Sequence, residues 1–470
     1  MRKAPYHYEA LETWLLEQIR AGRWRPGDRL PSIRALCAQQ GRSKVTVLHA
    51  LHRLEARGVV EAYPKAGYFV TTTPDDAPPR PQAAGQISAP LPVTVSDLFL
   101  DIMRRSAAFD LLPDAPSGEP PPGIVALNRA IGRALRRQRD GQFQYYDEPM
   151  GHLSLREQLA SQAARRGWRV SPDRLCITSG CQHALFLALM ATCRAGDVVA
   201  VESPGFYGVL QLLEQLDLRV VEVPTSPETG MDMAALAEVL ERWPVRACVV
   251  SPAFATPGGA LMPDAARRQL LDLAGRHDLA VIEDDIYAET GFAQVPDPLK
   301  ALDRDDRVIL CGSFSKSLSR DLRLGWISGA RWHRQILHLK LVTQLASSRY
   351  LQQGVAEFME DGGYAAHLRR QRGLLRERRD RLLSMLRDWR VPVRMTQPQG
   401  GLAVWLELPE GVDTLTAYSK ALQEGIVLTP GSLFSAVGAF SNGLRISFAH
   451  AWDEERRTAL GRLPALLELV

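Results

Sequence analysis

The residues of this 470-residue chain that could do chemistry fall in a few short runs. Ser313-Phe314-Ser315-Lys316-Ser317-Leu318 is followed closely by Arg323-Leu324-Gly325-Trp326. Upstream stand Glu283-Asp284-Asp285-Ile286-Tyr287, Glu202-Ser203-Pro204-Gly205-Phe206-Tyr207-Gly208 and Thr178-Ser179-Gly180-Cys181-Gln182-His183-Ala184-Leu185. Together they offer a lysine amine, an acid with a tyrosine three residues on, a turn of small residues, and an aromatic ring. Pyridoxal 5′-phosphate (PLP) makes the same demands: a lysine for a Schiff base, an acid facing the pyridine nitrogen, donors for the phenolic oxygen, an anion site for the phosphate, and a flat partner for the ring.

Asp284 follows an apolar strand at 280–282, at the carboxyl end where α/β sheets bind ligands. An ionised aspartate there keeps the pyridine nitrogen protonated, which makes the ring an electron sink. Tyr287 is then placed to donate to the phenolic oxygen. Asp285 is the adjacent alternative, but the three-residue spacing to the tyrosine favours Asp284. Taken without its neighbours, the run is equally a solvated acidic loop. The run from Thr178 is a strand-to-helix turn. Ser179, Gly180, Cys181 and Gln182 can present backbone N–H groups at a helix N-terminus, a ready anion site. Alone, it is an ordinary turn.

The order of these runs resembles the aspartate-aminotransferase-like PLP enzymes. That resemblance implies that Lys316 forms the internal aldimine and that Ser313 and Arg323 hold the phosphate. Arginine suits the task because its planar fork binds phosphate oxygens in pairs. By family spacing from Pro204, Phe206 stacks on the pyridine ring, with Tyr207 the runner-up; either also suits a core position. Tyr145-Tyr146-Asp147-Glu148-Pro149-Met150-Gly151 resembles a segment whose tyrosine reaches the phosphate of the neighbouring subunit. Tyr146 has that spacing, which implies a homodimer with shared PLP sites. Arg445 matches the arginine that binds the α-carboxylate of an amino acid. There is one clear departure: the family's Asn-Pro-x-Gly is here Thr256-Pro257-Gly258-Gly259. Thr256 offers a single short hydroxyl where an amide usually stands. A smaller one is Arg320-Asp321 in place of the Pro-Gly common in related regulators.

These runs need a scaffold. Apolar strand-like stretches at 175–178, 198–201, 247–250, 280–282 and 308–310 alternate with helical patterns. That alternation predicts an α/β domain with a mostly parallel sheet. The resemblance adds the PLP fold type I and a smaller C-terminal α/β subdomain. The first 72 residues read differently. Apolar periodicity predicts a helix over 8–21, a second capped by Ser32, and a third capped by Ser43 and ending near Gly58. Short strands at 59–62 and 68–70 follow, around Pro64-Lys65-Ala66-Gly67. Three helices and a β-hairpin make a winged helix-turn-helix. The residues at 25–34, 43–47 and 54–58 resemble the GntR family of bacterial regulators. The third helix should enter the major groove of duplex DNA, with Ser43, Lys44 and Thr46 near its start. Ser32, Arg34 and Arg42 are placed for phosphates or base edges, and Lys65 and Gly67 for the wing tip. Residues 73–95 hold six prolines and read as an extended linker. An effector and dimerisation domain over 96–470, beginning with a helix over 96–108, completes the chain. This order of domains resembles the MocR-type subgroup of GntR regulators.

Composition agrees with a DNA reader at one end. Residues 1–72 carry 12 basic against 6 acidic side chains, while the rest carries 45 against 47. A short basic unit is the footprint of a phosphate-backbone binder. No apolar run is long enough for a membrane span, and the first 21 residues lack a signal-peptide pattern. Six unpaired cysteines read as reduced thiols, so the cytoplasm is expected. No metal site is expected: His49 and His52 share a helix face without further ligands. Two functions follow. One is a PLP-dependent transcription regulator that senses PLP or a small amine or amino acid. The alternative is an active aminotransferase with an accessory DNA-binding domain.

Overall fold

A computed structural model describes residues 7–25, 27–56, 59–63, 67–71, 81, 87–93, 102, 110–113, 118–138, 145–293, 295–389, 391 and 393–469. The chain divides into two compact units, Met1–Pro79 and Arg80–Val470.

In the first unit, helices α1 (His7–Arg20), α2 (Ile33–Gln40) and α3 (Lys44–Ala56) precede strands β1 (Val60–Tyr63) and β2 (Gly67–Val70). Leu11, Leu15 and Ile19 recur at helical spacing, so α1 buries one stripe against Leu36, Val47, Leu51 and Leu54. Ser32 caps α2 by accepting the Ala35 amide at 3.2 Å, and Ser43 caps α3 by accepting the Thr46 amide at 3.2 Å. Gly41 ends α2 with φ 59°, a left-handed conformation that glycine adopts without steric cost. The hairpin pairs Val60 with Val70 and Tyr63 with Gly67. Lys65, at its tip, lies outside the described residues.

The second unit is built on a nine-stranded sheet. Its central strands, Arg219–Ser226, Val198–Ser203, Val245–Val250, Ala280–Asp284 and Val308–Ser313, run parallel in that spatial order. Gly325–Ser328 is antiparallel to the last of these and pairs in turn with Cys176–Thr178. The strands are almost entirely apolar because helices cover both faces, giving two separate hydrophobic cores. A three-stranded antiparallel sheet, Arg394–Met395, Ala403–Glu407 and Gly443–Ser447, anchors the smaller C-terminal part with its own core.

Two strands run further than their apolar runs suggest. Pairing continues through Asp284 against Cys311 and through Ser313 against Gly325, so both polar residues close their strands. Within 73–95, Leu91–Pro92 add an edge strand against Arg219 and Val220, and the Pro90 carbonyl accepts from Arg219 at 2.7 Å. The helix expected over 96–108 lies outside the described residues except for Ile102, which is buried. No helix among the described residues is long and apolar enough to cross a membrane.

Candidate functional site

The carboxyl ends of the strands gather the runs that could do chemistry. Cys176–Thr178 breaks at Ser179-Gly180 into the helix Cys181–Thr192. Gly180 caps that helix at φ 85° without a side-chain bond, which leaves its first amides for an anion. The Arg323 guanidinium covers this turn: Nη2 donates to the Ser179 carbonyl at 3.1 Å. A Cβ on Gly180 would lie 2.8 Å from that same nitrogen. Arg323 itself has φ 47°, an uncommon conformation for a side chain of its size, and such departures gather at binding sites. Ser313 Oγ accepts the Ser315 amide at 3.1 Å, and Ser315 Oγ lies 3.5 Å from Arg323 Nη1. Gln344 donates to Ser179 Oγ from the end of the helix His333–Gln344. Serines, arginine and helix amides thus converge, although they come from segments about 130 residues apart.

The three consecutive acids go three ways. Glu283 accepts the amides of Leu299 at 2.6 Å and Lys300 at 2.9 Å, and burial pushes its carboxyl up to about 7. Asp285 is held by both nitrogens of the Arg166 fork. Asp284 accepts the Cys181 thiol at 3.2 Å and the Ile286 amide at 3.3 Å. Burial raises Asp284 to about 6, against those two bonds, which favour the charged form. Asp285 thus belongs to an ion pair, while Asp284 faces the helix that follows the glycine turn.

Lys316 follows Ser313 at the end of its strand. Burial holds its amine well below the ordinary lysine range, and the charges of Arg320, Arg445 and Arg323 push the same way; Asp284 opposes them. Tyr287 is buried, and burial lifts its hydroxyl to about 12 against the pull of Arg445 and Arg320. Arg445 is buried on Gly443–Ser447 opposite Trp405. The Phe206 ring packs over Gly208, where an added Cβ would meet it at 2.5 Å, and Gln182 donates to the Gly208 carbonyl at 2.8 Å. Tyr207 instead joins a core cluster with Trp405 and Phe434. Thr256 Oγ1 is buried and has no hydrogen-bond partner among the described residues.

Tyr146 is not gathered with the others: it is 78% exposed, and its carbonyl accepts from Arg349 at 3.3 Å. Sequence reading noted Arg320 only as a departure and missed Gln344. A half-buried arginine beside a lysine motif was visible as an odd residue type, whereas nothing in the sequence ties Gln344 to Ser179.

On the DNA-facing candidates, Ser32, Arg34, Ser43 and Lys44 are exposed, and Arg42 and Thr46 are half-buried. Val45, 76% exposed, stands beside Lys44 at the start of α3, an apolar surface next to the polar ones. Gly67 has φ 106° and faces the Arg29 guanidinium, which a Cβ would meet at 3.2 Å.

The large unit's donor set fits PLP. It has an anion-binding turn with an arginine, a buried acid, a half-buried lysine with a lowered pKa, and a buried hydroxyl at Thr256 without a partner among the described residues. Residues 117–463 match the aminotransferase class I and II family, and residues 7–70 match the gntR family of bacterial regulatory proteins. The HTH-type transcriptional regulator YjiR of Escherichia coli K12 is 36% identical over 462 residues, 97% of either chain. The 2-aminoadipate transaminase of Thermus thermophilus is 34% identical over 400 residues, 83% of this chain and 97% of its own. The crystal structure of Pyrococcus horikoshii kynurenine aminotransferase matches with a TM-score of 0.71 at 28% identity, covering 80% of this chain and 95% of that one. Fold and site therefore define a PLP-dependent aminotransferase-type domain of fold type I, joined to a DNA-binding winged helix. The chain belongs to the GntR family of bacterial transcription regulators, in its MocR-type branch.

Proposed function

We propose that the large unit holds PLP covalently on Lys316 and reports the presence of a small amine or amino acid to the winged helix. The carrying observation is that Lys316, Asp284 and Arg445 converge in a unit that shares its chain with a DNA reader. When bound, PLP supplies an aldehyde that condenses with amines and a ring that draws electron density. The chain's own residues do the rest. Asp284 holds the ring nitrogen's proton, and Tyr287 and Thr256 donate to the phenolic oxygen. Phe206 covers the ring. Ser179, Gly180, Cys181, Gln182, Ser313 and Arg323 hold the phosphate. The lowered pKa of Lys316 favours the neutral, nucleophilic form of its amine.

Arg445 is the carboxylate partner of an amino-acid effector. Exposed Tyr146 suits a role at the site of a second copy, which makes the unit a homodimer with shared sites. Residues 1–72 are the DNA reader, 96–470 the effector and dimerisation domain, and the tether lies within 73–95; the cytoplasm is the compartment this implies. A ligand shifts such a protein only by its different affinity for two states.

A second reading, an active aminotransferase, is favoured by the survival of every ionisable group at the site and by the transaminase relatives. Absorbance decides the first step. Wild type with PLP should show a visible band that Lys316→Ala lacks, and an unchanged band in the variant would refute covalent attachment. Rapid multiple turnover with a common amino donor would put the enzyme reading first.

A further inference from the structure

Pro81, in the Pro-rich stretch, is described and buried, as are Pro90 and Val93 further along it. Pro81 borders two cavities of the large unit. The first, of about 70 Å³, is walled by Pro204, Thr256, Gly258, Trp405 and Phe440. The second, of about 240 Å³, is walled by Gly259, Thr396 and Pro398. Pro227 alone shares both with Pro81, so the two prolines partition the space.

This space separates the two parts of the large unit. On one side is the turn 256–259, between the paired strands Ala253–Ala255 and Ala260–Leu261. On the other is the C-terminal three-stranded sheet with residues 396–399. The parts approach so closely at Gly259 that an added Cβ would lie 2.4 Å from Pro398 Cβ. The same four-residue turn begins with Thr256, itself one of the cofactor candidates. A proline is suited to such a socket because its ring is stiff and it has no N–H to satisfy when buried. Gly259 and Pro398 approach without slack, so a shift of the turn or of 396–399 changes the space that Pro81 borders.

We infer that Pro81 is the anchor through which the tether reads the state of the large unit. It sits in the gap between the two parts, beside the turn that carries Thr256. This rests on the sensing role proposed above. Movement of the C-terminal part toward the site closes the socket, and opening releases it. Pro81 lies within the stretch that leads to the winged helix, so either change is passed to that stretch.

Two measurements on the full chain test this. In the first, Pro81→Cys is labelled with a maleimide and read by peptide mass spectrometry. An anchored thiol should react at least about 10-fold more slowly than free glutathione, as expected for a site exposed only by local opening. A rate equal to glutathione's would overturn the anchor, whatever the DNA result. In the second, affinity for a DNA fragment selected by the wild type is measured with PLP and with a phosphopyridoxyl amino acid. Wild type should show a change of about 5-fold or more, the lower range of ordinary coupling. Pro81→Gly and Pro81→Ala should shrink it below about 2-fold while keeping the visible band and the wild-type melting temperature. Coupling retained in both variants would overturn the proposal. A wild type indifferent to the ligand would instead overturn the sensing role, and the labelling rate would then decide the anchor by itself.

Discussion

The two units of this protein build their sites in opposite ways. The winged helix draws its DNA-facing candidates from about 35 consecutive residues, and each cap and turn is set by a neighbour three or four residues away. The large unit gathers its site from segments between Ser179 and Arg445, held together only by a completed sheet. Local construction makes the first site legible and its stability modest. Non-local construction makes the second site dependent on the whole fold, which permits a binding event to be felt far from where it occurs.

The sharpest way to break this contrast is to damage the small core. Leu51 is fully buried among helices of the first unit. Leu51→Ala should cost about 2–5 kcal/mol, a large share of the stability of a domain this small. Thermal unfolding should then separate into two steps, with DNA binding lost at a temperature where the visible PLP band persists. A single shared transition would mean that the units do not fold independently.

The next effect belongs to the large unit. Asp284→Asn replaces a charge-assisted contact with a neutral one, worth about 1.5–3 kcal/mol, so PLP affinity should fall roughly 10- to 100-fold. Its pH dependence has a definite sign. The carboxyl sits at about 6 in the folded protein, above its ordinary value of 3.8. Its contribution to the stability of the cofactor-free fold is therefore present at low pH and lost as pH rises from about 4 to 6. PLP binding needs the charged form, so affinity should rise through that window and level off above about 6. Titration of binding in wild type and Asp284→Asn checks this, and the variant should show no such rise.

The smallest effect is on the DNA side. Lys44→Ala removes one exposed cation at the start of α3 and should lower the salt slope of DNA binding by about 1 without altering the visible spectrum. A changed spectrum would show that the two sites are not separable.

Legibility follows the same divide. Helix caps at Ser32 and Ser43 and the hairpin were readable because periodicity and turn chemistry are local, whereas the strand ends at Asp284 and Ser313 lie beyond the apolar runs and are set by pairing. The preference for Asp284 over Asp285 came from its spacing to Tyr287. What fixes the two acids apart is Arg166, 119 residues upstream, which sequence reading does not connect. Gln344 on Ser179 and the strand at Leu91–Pro92 escaped for the same reason: their partners are chosen by the sheet. Arg320 stood in view as a departure, and its influence on Lys316 needed the loop's geometry.

The central claim is that the state of the large unit sets DNA binding. The most direct measurement is the affinity and bending of a two-half-site DNA by wild-type protein in cofactor-free, PLP-bound and amine-adduct forms. Linking two heads raises the effective concentration of the second, so a changed spacing costs much of the avidity. The account predicts that at least one pair of forms differs by about 5-fold or more in affinity. Equal affinity and equal bending in all three forms would contradict it.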